Sequence, residues 1–311
     1  MRNQTRRRVL LTGSGVVVLA VLTACSSTTT ATTPTRGASP ATTPATTLSA
    51  PPTASPSTVP SSRRPPLAIT HIHAVARDPK SGELLLATHE GLVRQHDGEL
   101  VQTGLVIDLM GFAVAPDGTY YASGHPGVGV DLPSPVGLII STDAGRTWRV
   151  ASRGGQSDFH ALTASPAGVV GFDGALRSST DTTTWTSRSI QAPPRTLAAA
   201  PTSGTLLATT QAGLLISRDT GGTWRPLSPP GTASLVAWAD EQTIVIATAT
   251  GQLGVSTDTG ASWTLNPKRL GTPEALFAWR QPDGRVEIVI VADAKVMRTF
   301  DGGSTSENLI R

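Results

Sequence analysis

Ser141-Thr-Asp-Ala-Gly-Arg-Thr-Trp148, Ser217-Arg-Asp-Thr-Gly-Gly-Thr-Trp224 and Ser256-Thr-Asp-Thr-Gly-Ala-Ser-Trp263 are three copies of one pattern, S-x-D-x-G-x-[ST]-W. A fourth copy, Thr299 to Ser306, keeps the Asp as Asp301 and lacks the Trp, and a fifth, Ser179 to Trp185, is one residue short and lacks the Gly. Self-similarity at a period of about 40 residues marks stacked four-stranded units, because one unit cannot bury its apolar face alone. Within the pattern the carboxylates of Asp143, Asp219, Asp258 and Asp301 can accept turn N–H groups, Gly145, Gly221 and Gly260 can take φ > 0, and the Trp can anchor the next strand.

The pattern resembles the Asp-box, or bacterial neuraminidase repeat, of sialidases, sortilin-type receptors and related propellers. That resemblance implies an all-β fold, a six-bladed β-propeller of four-stranded antiparallel blades with Asp-box turns, seven blades being the main rival. It also implies that the Asp-box is a structural turn, remote from the ligand face.

Three regions divide the sequence. Arg2 and Arg6 to Arg8 precede an apolar run from Val9 to Leu22, too short for a mature membrane helix and suited to a signal peptide over residues 1–24. The run closes on Leu22-Thr-Ala-Cys25, which resembles a bacterial lipobox; this implies cleavage before Cys25 and lipidation of it, with export by the Sec or the Tat route. Residues 25–66 are the Cys and a tract almost wholly of Ser, Thr, Ala and Pro, a composition that buries too little apolar surface to fold and is expected to act as a tether. Residues 67–311 hold every repeat and divide into blades at about 67–104, 105–153, 154–191, 192–230, 231–269 and 270–311. The expected location is the outer face of the cytoplasmic membrane or the cell surface.

Charge and cysteine content exclude some functions. Removing the leader takes away four Arg, which leaves 21 basic against 22 acidic residues and no basic face for nucleic acid. Cys25 is the only cysteine, so an exported domain has no disulfide. No Ser nucleophile elbow, Gly-rich phosphate loop or Cys–His pair is present.

Histidine placement supplies the candidate site. Six residues before the turn prolines Pro79, Pro116 and Pro166 stand His73, Met110 and His160, and eight before stand His71, Asp108 and Asp158. Period two puts both members of each pair on one face of a strand. His89 and His125 follow the second strands of their blades, at the end where the first strands begin. All eight residues are therefore expected at one rim of the central channel, on the face opposite the Asp-box turns. Imidazole and carboxylate suit Zn²⁺ or Cu²⁺, and a thioether favours copper; His71, His73, His160 and Met110 form the candidate metal set.

The segments around His71 to His73, Thr88 to Leu92, Met110 to Phe112, Ser123 to Gly127 and Asp158 to Leu162 also resemble exported proteins labelled glycosyl hydrolase-like or exo-sialidase-like. A sialidase would need three carboxylate-binding Arg and a Tyr nucleophile with a Glu partner, whereas this chain has only Tyr120 and Tyr121, adjacent on one strand, and no Arg-Ile-Pro motif. The expectation is a membrane-anchored protein binding a ligand at the rim, a transition metal ion being one candidate for that ligand, with no catalytic residues assigned. A glycoside hydrolase or glycan-binding protein, and a protein-assembly or receptor platform, are the alternatives.

Overall fold

The computed structural model describes residues 67–310; the leader, Cys25 and the Ser/Thr/Pro tract lie outside the described residues. There are six antiparallel sheets of four strands, each built from consecutive strands in chain order. They span Ile72–Thr103, Ile107–Ser152, Ala161–Arg188, Pro194–Leu227, Ala233–Arg269 and Pro273–Asn308, all inside the ranges expected from the repeats. The fold is a six-bladed β-propeller.

The apolar residues explain why the blades stack. The second strands Leu84–Thr88, Leu206–Thr210 and Ile244–Thr248 are buried at every position, as befits strands covered on both faces. Their side chains do not meet in one central core. Buried residues gather in six clusters, one for each junction between adjacent blades. Leu85, Ala87 and Leu92 of the first blade pack on Leu109, Tyr120 and Ile139 of the second. At the closing junction, Ile72, Val75 and Leu84 pack on Ala275, Val289 and Val291 of the sixth.

The repeated motif forms the same turn four times. Asp219 Oδ1 accepts from Thr223 N at 2.8 Å, Asp219 Oδ2 from Thr223 Oγ1 at 2.8 Å, and Ser217 Oγ bridges the Gly221 amide (2.9 Å) to Asp219 Oδ1 (2.8 Å). Asp143, Asp258 and Asp301 repeat this set. The turn needs two successive positive φ values, 58° at Thr220 and 82° at Gly221. Each Trp then packs on the blade before its own: Trp148 joins the first-to-second junction, Trp185 donates its Nε1–H to Ser152 Oγ of the second blade at 2.9 Å, and Trp224 and Trp263 continue the series. These turns join third to fourth strands, so they stand at one face of the ring. The starts of the first strands and the ends of the second stand at the other.

Candidate metal-binding rim

The first strand of the second blade, Ile107–Val114, brings Asp108 to that other face, paired with His125 on the neighbouring strand Tyr120–Pro126. Two glycines allow the necessary approaches. A Cβ on Gly124 would stand 1.8 Å from Asp108 O, so only glycine lets the strand carrying His125 lie against Asp108. A Cβ on Gly111 would stand 2.0 Å from Phe159 O, and its absence lets the second blade draw up to the segment carrying Asp158 and His160. The His73 position arises differently: pairing of the first two strands of blade one passes from Ile72 to Ala74, so His73 is the extra residue of a bulge.

All eight rim residues occupy this face, and seven of their side chains fall into two groups. In the first, His73, His89 and Asp108 each offer a ligand atom within 4.8 Å of the others. His73 Nε2 lies 3.5 Å and His89 Nε2 3.8 Å from Asp108 Oδ1. The His71 ring stands edge-on to that of His73 at 4.6 Å, and His71 Nδ1 is 3.9 Å from Glu274 Oε2 of the sixth blade. In the second group, Asp158 Oδ2 accepts from His160 Nε2 at 2.7 Å and His125 Nε2 at 3.0 Å. Thus the four residues singled out by residue type as metal ligands divide: His71 and His73 fall in the first group, His160 in the second, and Met110 sits at the bulge of its own strand. His89 and Asp108 complete the first group, because the loop of one blade meets the first strand of the next.

The two groups differ in how their polar atoms are satisfied. Asp158 Oδ2 accepts from two imidazoles while its Oδ1 is buried without a hydrogen-bond partner among the described residues. His73 Nε2 and Asp108 Oδ1 are both buried without a hydrogen-bond partner among the described residues, and they face each other. Burial, followed by the neighbouring His71, lowers the pKa of His73 to about 4, so its imidazole is neutral and has a lone pair to give at neutral pH. Glu90 is held by Thr70, whose Oγ1 donates to Oε1 at 2.6 Å, and this fixes the loop that carries His89. A groove of about 1770 Å³ opens beside the rim, with His71, His89 and Glu274 at one side and Leu100, Leu309 and Ile310 at the other.

Neither tyrosine reaches the rim. Tyr120 is fully buried and donates to Asp78 Oδ2 at 2.6 Å, and Tyr121 packs in the junction of blades two and three.

No protein-family model and no curated protein sequence matches the chain. Solved structures match in fold. A nidogen/laminin complex is similar over 74% of this chain and 93% of that one, at 14% identity and a TM-score of 0.58. An ancestral GH74 enzyme is similar over 78% of this chain and 38% of that one, at 14% identity and a TM-score of 0.53. YCF48 from Cyanidioschyzon merolae is similar over 77% and 98%, at 12% identity and a TM-score of 0.51. At such identities the likeness extends to the propeller fold and no further.

Proposed function

We propose that this protein is an exported, lipid-anchored Asp-box propeller that binds a divalent transition metal ion, Zn²⁺ or Cu²⁺, at His73, His89 and Asp108. One observation carries the metal reading: His73 Nε2 and Asp108 Oδ1 are buried 3.5 Å apart with no hydrogen-bond partner among the described residues. Leaving a buried polar atom unpaired costs about 1–3 kcal/mol, and a cation between the two would satisfy both together. Two imidazoles and one carboxylate suit Zn²⁺ or Cu²⁺, and three protein ligands leave coordination positions open for a further ligand.

Calorimetric titration of the domain, purified without a His tag, tests this. The expected result is one ion bound more tightly than about 0.1 mM and lost in the His73→Ala, His89→Ala double variant. A hundredfold excess over the dissociation constant should also raise stability by about 2.7 kcal/mol. If neither Cu²⁺ nor Zn²⁺ binds, the metal reading fails, and a glycan or protein partner at the same rim takes its place.

The anchoring part rests on the Arg-rich start and the apolar run that closes on Leu22-Thr-Ala-Cys25. Cys25→Ala should release the protein from membranes on fractionation, and undiminished membrane association would refute the lipid anchor.

A further inference from the structure

The bulge that re-aims His73 is not confined to blade one. Pairing of first and second strands skips a single residue in five blades, and those residues are His73, Met110, Arg195, Ser234 and Glu274. In the third blade His160 directly precedes the first strand, Ala161–Ser165. The channel mouth is thus edged by an irregular residue in five of the six blades, and at such positions side chains are turned away from the regular pleat.

Arg195, in the fourth blade, is the one cation in this series. Its Nη2 donates to Pro273 O at 3.3 Å, so the side chain passes the fifth blade and ends on the sixth. Pro273 is followed by Glu274, whose Oε2 is 3.9 Å from His71 Nδ1, and the His71 ring is 4.6 Å from that of His73. The guanidinium therefore ends on the sixth blade, which adjoins the first blade with its His71 and His73. Among the described residues it forms no ion pair, and the remaining N–H groups of its fork are uncommitted.

We infer that Arg195 and the metal ion together hold a small oxyanion, a carboxylate or a phosphate-type group, with one oxygen on the ion and others on the guanidinium. This rests on the metal reading. A divalent ion bound by neutral imidazoles and one carboxylate keeps a net positive charge, Arg195 adds a second, and the Glu274 carboxylate beside His71 offsets one of the two. A planar fork that donates two parallel hydrogen bonds matches a carboxylate or phosphate edge in a way a lysine ammonium does not.

The experiment uses the Cu²⁺-loaded protein and follows the visible absorption of the copper as acetate or methylphosphonate is added. The two probes separate carboxylate from phosphate-type chemistry. At least one of them should give a saturable shift, Arg195→Gln should weaken that binding about tenfold or more, and Arg195→Lys should fall between. Copper affinity, measured first in each variant, should be unchanged. Failure to take up copper overturns this inference, and failure to take up zinc as well overturns the metal reading. Uptake without a saturable anion response, or an Arg195→Gln protein that binds the anion as the parent does, overturns this inference alone.

Discussion

Asp219 shows how much an exposed carboxylate can do for a turn. It accepts the backbone and side-chain donors of Thr223 and the hydroxyl of Ser217, and because these bond to the ionised form its pKa is lowered to about 2. Asp143, Asp258 and Asp301 are lowered to about 2 by their own Thr or Ser donors. A folded-state pKa below the unfolded value means that the contribution is present at neutral pH, begins to fall below the ordinary carboxylate value near 4 and is gone once pH passes 2. Asp219→Ala should therefore lower the melting temperature by about 3 °C at pH 7, with metal affinity unchanged, and the difference from the parent should close as pH falls from about 4 to 2. A difference that stays constant across that range would show that the carboxylate is not the cause. The sequence carries the mark of the rim once more, in the fourth blade. The count of six before a turn proline that picks out His73, Met110 and His160 lands on Arg195 when started from Pro201.

The strands of the rim depend on absent side chains. Gly124 has φ of 144°, and a Cβ there would lie 1.8 Å from Asp108 O, so alanine must push apart the strands that carry His125 and Asp108. Gly124→Ala should cost about 3 kcal/mol by denaturant unfolding and weaken metal binding about tenfold or more. Gly129, in the loop that follows the same strand, also has positive φ, 78°, but open space around it. Gly129→Ala should cost only about 1 kcal/mol and leave binding intact, since it meets conformational strain and no clash. Equal effects of the two on binding would refute the assignment. At this scale the sequence was readable where it repeated. Turn signals and alternating apolar runs bounded each blade, whereas the bulges at His73 and Met110 were not legible, since a bulge is a mismatch between two strands and neither strand alone carries its mark.

The whole molecule follows from a unit that is insufficient alone. Each junction between blades has its own buried cluster, and the Trp and Gly of the repeated turn press on the blade before: Gly145 and Gly221 lie against Leu92 and Leu176. The number of blades was legible because every repeat imposes the same need. The division of the rim into two groups was not, because it depends on how closely adjacent blades approach, and that distance is set by pairs such as Gly111 and Phe159 far apart in sequence. One junction differs from the other five. No strand is exchanged between blades one and six, and their meeting is made of apolar side chains, the Arg77 Nη2 to Glu287 Oε1 pair at 2.5 Å, the Gln95 Nε2 donation to Leu309 O at 2.8 Å and the approach of His71 to Glu274. Elsewhere the chain itself runs from blade to blade and ties the neighbours covalently. Under tension applied at Leu67 and Ile310 the ring is a hoop with a single clasp, and the seam between its two end blades is the one junction that no covalent link spans.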